Sequence, residues 1–151
     1  QIIALDIYEW KLAELKRRAK RAGAHNIETR FIEDNKVIKR LHEKADRLLI
    51  DAPCSGLGVL KRNPDSKWKI DQDFIDRIKN EQQQILQDYS KMLKKGGKMV
   101  YATCSILPSE NNEQVETFLK NNEGFTLLKE EKVMPSDGFD GFYMALIQRN
   151  A

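Results

Sequence analysis

Apolar positions along the chain switch repeatedly between a period of two and a period near 3.6. Ile2, Ile3 and Leu5 make a strand that ends at Asp6. From Tyr8 to Ala22, Leu12, Leu15, Ala19 and Ala22 fall on one helical face, with Lys11, Lys16, Arg17, Lys20 and Arg21 around the other, and Gly23 stops the helix. Ile27 to Ile32 alternates as a second strand, Glu33-Asp34-Asn35 makes a turn, Val37 to Lys44 forms a short helix, and Leu48 to Ile50 is a third strand. Asp71 then N-caps a long helix carrying Phe74, Ile78, Ile85, Tyr89, Met92 and Leu93, which ends at Gly96-Gly97. The strand Lys98 to Ala102 follows directly. Ser109 and Glu110 open another helix with Val115, Phe118 and Leu119 facing inward, and Phe125 to Leu128 and Phe142 to Ile147 give two closing strands in an antiparallel finish. This alternation predicts an α/β fold: a doubly wound, mostly parallel, Rossmann-like sheet with an antiparallel C-terminal strand. With no repeat or linker, residues 1–151 read as a single domain.

Between Cys54 and Ile70 the periodicity lapses into a long loop holding Gly56, Gly58, Pro64 and the basic or polar set Lys61, Arg62, Asn63, Lys67 and Trp68. A loop of that length in a compact domain is usually functional, because a merely connecting one is shorter. No glycine-rich turn follows the first strand, as a phosphate cradle requires.

Composition narrows the setting. The 151 residues carry a formal net charge of +3, mildly basic and compatible with a polyanionic partner such as RNA. The two cysteines are too few to staple a domain of this size. No signal-peptide pattern and no apolar run of membrane-spanning length is present, so a cytoplasmic location without membrane association is expected. The chain opens inside a strand, which reads as a fragment truncated before its second sheet strand.

The cysteines are the informative residues. Each sits where an apolar run meets a tight turn, in Leu48-Leu49-Ile50-Asp51-Ala52-Pro53-Cys54-Ser55-Gly56 and in Met99-Val100-Tyr101-Ala102-Thr103-Cys104-Ser105. If both runs are strands of one parallel sheet, both thiols emerge at its carboxyl edge, where open α/β sheets bind ligands. One cleft then holds two sulfurs and the Asp51 carboxyl. Such a set suits pyrimidine chemistry. Adding a thiolate to carbon 6 of cytosine turns carbon 5 into an enamine nucleophile, a carboxyl group at N3 or the exocyclic amine holds the developing charge, and a base must then remove the carbon 5 proton. A thiol with an ordinary pKa is mostly protonated at neutral pH, so positive charge or a helix N-terminus is expected beside the nucleophile. Lys61, Arg62 and the amides after Ser109 are candidates. Trp68 or Tyr101 can offer a stacking face to a base drawn out of its stack. Adjoining turns also leave a Cys54–Cys104 disulfide geometrically open.

Asp51-Ala52-Pro53-Cys54-Ser55-Gly56-Leu57-Gly58, Arg62-Asn63-Pro64-Asp65, Lys67-Trp68 and Tyr101-Ala102-Thr103-Cys104-Ser105-Ile106-Leu107-Pro108-Ser109-Glu110-Asn111 resemble the RNA cytosine-5 methyltransferases of the Sun/Fmu (RsmB) group. The likeness runs the length of the chain to Asp137-Gly138-Phe139-Asp140-Gly141-Phe142-Tyr143, similar to the family's Asp-Gly-Phe-Phe signature with an added Asp-Gly. It implies transfer of a methyl group from S-adenosylmethionine to carbon 5 of a cytosine in ribosomal RNA, with Cys104 as the nucleophile and Cys54 releasing the product. It further implies that Asp51 touches the target cytosine and the cofactor's methionine end, that Asp6 holds the cofactor's ribose and Asp34 its adenine, and that Pro53, Lys61 and Arg62 meet the RNA. The family's leading strand and glycine-rich loop are not in this sequence. Their loss would leave a gap beside the first and third strands, so an incomplete cofactor site and either closure of the gap or dimerisation across it are expected.

Two other readings compete. A cysteine hydrolase needs a base beside the thiol, and His25 and His42 lie away from both cysteine turns. A purely RNA-binding or interaction module needs no thiols at all.

Overall fold

The computed structural model describes all 151 residues, Gln1–Ala151. They form two compact units, Gln1–Leu41 and His42–Ala151.

In the first unit, β1 (Ile2–Asp6) pairs in parallel with β2 (Ile27–Phe31), and α1 (Glu9–Arg21) makes the crossover between them. Only Leu12 of α1 is fully buried. The chain leaves α1 through Gly23, whose φ of +67° lies in the left-handed region that glycine enters without penalty. Asp34 does more than turn the chain. Its carboxylate accepts from the Lys36 amide at 2.8 Å and caps α2 (Asn35–Arg40), a helix shorter than the Val37 to Lys44 pattern suggests.

The second unit is a four-stranded sheet in the order β3 (Ala45–Asp51), β4 (Leu93–Thr103), β6 (Phe142–Arg149), β5 (Phe125–Val133). Strand β4 runs parallel to β3, and β6 is antiparallel to both its neighbours. Helices α4 (Gln72–Tyr89) and α5 (Asn112–Asn121) supply Leu86, Val115 and Phe118 to a core completed by Ile50, Met99, Tyr101, Ala145 and Ile147 from the strands. Full burial of side chains such as Leu86 and Phe118 stabilises by roughly 1.5–3 kcal/mol each. Asp71 caps α4 as its position predicts, accepting from the Phe74 amide at 2.8 Å.

The other end of α4 differs from the sequence pattern. The helix stops at Tyr89, a single 3-10 turn follows, and Leu93 to Gly97 belong to β4 instead of the helix. Leu93 is completely buried opposite Ala45, and the ladder then skips to Lys98 opposite Arg47, so residues 94–97 bulge out of the strand. Gly96 turns the bulge with φ +74°, and a Cβ on Gly97 would lie 2.8 Å from the Lys94 carbonyl. The glycine pair is a strand device here, not a helix stop. The loop after Cys54 is likewise more ordered than its composition suggests, with a 3-10 turn at Leu57–Val59 and a single helical turn, α3 (Ser66–Lys69).

Candidate active site

Because β3 and β4 pair in parallel, with Asp51 opposite Ala102, the segments that follow them leave the sheet side by side. The Ala52 amide donates to the Ala102 carbonyl at 2.9 Å and extends the ladder one step past the end of β3. Beyond that step the chains diverge into the two cysteine turns, and the Cys54 and Cys104 sulfurs lie 3.2 Å apart, half-buried. Both thiols are free, so the disulfide is not formed.

The pair divides one proton unequally. Cys104 is pulled down to about 7, chiefly by the hydrogen bond from Cys54 and also by backbone donation at Cys104, against burial and the nearby Asp51 and Glu110 carboxyls. Cys54 moves far upward, because its hydrogen bond to Cys104, burial and the Cys104 charge all favour keeping its proton. The contact favours Cys104 as the thiolate, with Cys54 keeping the proton. The activation expected from Lys61, Arg62 or the amides after Ser109 therefore comes from the second thiol. Arg62 is instead paired with Asp140 at 2.7 Å.

A buried carboxylate, overlooked in the sequence, fixes this geometry. Glu110 is wholly inaccessible to solvent and lies in the 3-10 turn before α5. Its carboxylate accepts from the Ser55 amide at 2.7 Å, the Ser55 hydroxyl at 2.6 Å and the Ser105 hydroxyl, so the residue after each cysteine is tied to the same group. Gln82 of α4 donates to Glu110 Oε1 at 3.1 Å and to the Pro53 carbonyl at 2.9 Å. Those two acceptors dictate the amide's orientation and leave Gln82 Oε1 buried without a partner. Asn111 completes the brace, accepting from the Thr103 hydroxyl at 2.5 Å and donating to the Ser105 carbonyl at 2.9 Å. The sequence signal for Glu110 was an acidic residue five positions after the second Cys-Ser, which reads alone as an ordinary first-turn acid.

The turn before β6 closes the other side. The Gly58 amide donates to the Cys104 carbonyl at 2.9 Å, and the Gly141 amide to the Gly58 carbonyl at 2.7 Å. A Cβ at Gly58 would fall 2.2 Å from the Gly141 oxygen, so the approach requires glycine.

The remaining sequence candidates separate. Asp51 is exposed at the end of β3, close enough for its charge to act on Cys104, and Pro53 is exposed beside Cys54. Lys61 is exposed, and Trp68 is 80% exposed with Lys67 over its ring at 4.9 Å. Tyr101 is no stacking face. It is completely buried, and its hydroxyl donates to the Glu110 carbonyl at 2.8 Å. In the first unit, Asp6 stands at the end of β1, where Oδ1 accepts from the Tyr8 amide at 2.8 Å and Oδ2 faces Lys11 at 3.8 Å. Asp34 Oδ2 faces Lys36 at 3.1 Å. No group of side chains in the chain is arranged to hold a metal, and no helix is long and apolar enough to cross a membrane.

Comparison with known proteins sets the chain beside RNA methyltransferases by sequence and fold. A family model described as 16S rRNA methyltransferase RsmB/F matches residues 1–148. The ribosomal RNA small subunit methyltransferase B of Yersinia enterocolitica is 39% identical over 160 aligned residues, covering 98% of this chain and 37% of that protein. Its counterpart in Proteus mirabilis is 36% identical over 151, covering 98% and 35%. The chain thus spans a little over a third of these relatives. Among solved structures, NSun6 from Pyrococcus horikoshii with SFG, an S-adenosylmethionine analogue, superposes with a TM-score of 0.87 at 26% identity, over 100% of this chain and 42% of that one. A methyltransferase homologue from the same organism gives 0.82 at 25%, over 99% and 53%.

Proposed function

This chain belongs to the RsmB/F family of 16S rRNA methyltransferases, and from that premise we propose that its two thiols carry out cytosine-5 methylation of ribosomal RNA through a covalent adduct on Cys104. The observation that carries the reading is the 3.2 Å contact between the free Cys104 and Cys54 sulfurs at the carboxyl edge of paired parallel strands.

S-adenosylmethionine fits the acceptors available. Asp6 and Asp34 each present a carboxylate at the carboxyl end of the first unit's strands, the acceptor type that a ribose diol and an adenine amine require. Asp6 would hold the ribose and Asp34 the adenine. The cofactor's contribution when bound is an electrophilic methyl group.

The protein's own residues do the rest. The Cys104 sulfur adds to cytosine carbon 6, and the ring electrons displaced from the 5,6 double bond collect at N3, where the Asp51 carboxyl meets them. Pro53, Lys61 and Arg62 line the approach of the RNA. Bond formation also changes Cys54. Its upward shift comes largely from the hydrogen bond and charge of Cys104, and both end when that sulfur becomes a neutral thioether. Cys54 then loses its own proton to solvent more readily, and the resulting thiolate takes the carbon 5 proton, whose bonding pair re-forms the 5,6 double bond as Cys104 leaves as a thiolate. One sulfur thus activates its neighbour before attack and frees it afterwards.

RNA containing 5-fluorocytosine, which has no carbon 5 proton to lose, tests the reading in the presence of S-adenosylmethionine. A denaturation-resistant adduct is expected for the natural protein and for Cys54→Ala, and none for Cys104→Ala. On ordinary cytosine, Cys54→Ala alone should accumulate adduct. An adduct that survives Cys104→Ala would refute the assignment.

A further inference from the structure

Beside the cysteine turns lies a cleft of about 680 Å³, a size typical of small-ligand sites. Leu57, Leu60, Ile106 and Phe139 give it apolar walls, and Lys61, Arg62 and Asp140 also line it. Gly58 lines it too, and its amide donates to the Cys104 carbonyl, so one hydrogen bond joins the cleft wall to the nucleophile's backbone.

Phe139 and the charge distribution indicate an occupant. Phe139 is 73% exposed and makes no aromatic contact within the protein, although it sits on a turn tightly held by the backbone bond from Gly141 to Gly58. An aromatic ring left in water on a fixed turn costs burial energy that an incoming planar partner restores. Charge selects the kind of partner. Residues 61–69 carry Lys61, Arg62, Lys67 and Lys69 against Asp65 alone, as much net positive charge as the whole chain. Arg62 is neutralised by Asp140, whereas Lys61 forms no ion pair and remains available to an anion. A ring face beside an unpaired ammonium is the combination that binds one nucleotide of a single strand, by stacking its base and pairing its phosphate.

Resting on the methyltransferase reading, we infer that this cleft holds the ribonucleotide next to the target cytosine, its base stacked on Phe139 and its phosphate on Lys61. Phe139 thereby determines how the strand is positioned, since a flipped cytosine is anchored only as well as its neighbour. The residue takes no part in bond making. Nothing in the Asp-Gly-Phe turn requires an exposed ring for folding, so its substitution separates binding from stability.

The test is the affinity of the full chain for a short single-stranded RNA containing one target cytosine, read by fluorescence anisotropy, with an abasic ribonucleotide on the 5′ side, on the 3′ side or on neither. Phe139→Ala should weaken binding of intact RNA roughly 5- to 150-fold, the range of one base–aromatic stack, and Phe139→Trp should restore it. On RNA abasic at the correct side, natural protein should lose the same factor and Phe139→Ala nothing further. Lys61→Ala should lower the slope of log affinity against log salt by about one. Independent losses for Phe139→Ala and the abasic site on both sides, or no effect of Phe139→Ala, would overturn the inference while leaving the adduct test on Cys104 intact. A dimer that Phe139→Ala dissolves would assign the cleft to a second copy and overturn it too. No RNA binding by natural protein would overturn both readings.

Discussion

The Cys54 and Cys104 sulfurs lie 3.2 Å apart, within hydrogen-bond reach, and that contact shifts the two thiols in opposite directions, Cys104 downward and Cys54 upward. Neighbouring atoms of the same element are thus given different acidities by their surroundings alone.

A pH profile follows from this division. Cys104 lies at about 7, so its alkylation by iodoacetamide should rise through neutral pH and level off above 8. In Cys54→Ala the donor that stabilises the thiolate is gone, the Cys104 pKa climbs back toward its ordinary value near 8.5, and the rate at pH 7 should fall about tenfold. Cys54→Ser, which retains a donor, should fall between the two. Identical profiles for all three proteins would show that Cys104 draws its acidity from elsewhere.

Glu110 is expected to matter more for stability than any exposed carboxylate. Glu110→Ala leaves the Ser55 amide and hydroxyl, the Ser105 hydroxyl and the Gln82 amide buried without this acceptor. The expected cost is about 3 kcal/mol or more, read in thermal unfolding as a loss of roughly 6–12 °C. Glu110→Gln keeps one acceptor oxygen and should lose about half as much.

Gly58→Ala tests the backbone approach. The added Cβ would meet the Gly141 oxygen at 2.2 Å and the Cys104 oxygen at 2.7 Å, both main-chain atoms that cannot swing aside. The cysteine turn must shift, and both the melting temperature and the rate of Cys104 alkylation should drop. A Gly58→Ala protein with natural reactivity would mean that the turn is free to move.

The Arg62–Asp140 pair provides the contrast. Its arginine is 69% exposed, so screening limits its value, and Arg62→Ala should change stability by less than about 1 kcal/mol. A larger loss in a denaturant titration would show that the ion pair, and not the Gly141–Gly58 hydrogen bond, holds the turn.

What could be read from the sequence was what depends on neighbours along the chain. Strand and helix periodicity, the Asp71 cap and the emergence of both cysteines at strand ends are local properties, and the parallel pairing of β3 and β4 brings the thiols together as the motifs imply. The misreadings involve distant partners. Tyr101 alternates like a rim residue, but Ile50 and Ala145 flank it on adjacent strands and place it in the core. Leu93 keeps helical spacing with α4, yet burial opposite Ala45 draws it into β4. Glu110 meets Ser55 across 55 positions, a distance no local pattern records.

The reversed direction of β6 has a consequence for how this protein is made. Because β6 runs against β4, it is the beginning of β6 that lies at the cysteine edge, and the turn carrying Gly141 comes with it. Cys54 and Cys104 leave the ribosome well before that turn does. The Gly58 carbonyl therefore gains its Gly141 partner only after nearly the whole segment has been synthesised, and a nascent chain halted short of residue 141 lacks that prop beside its cysteine turns.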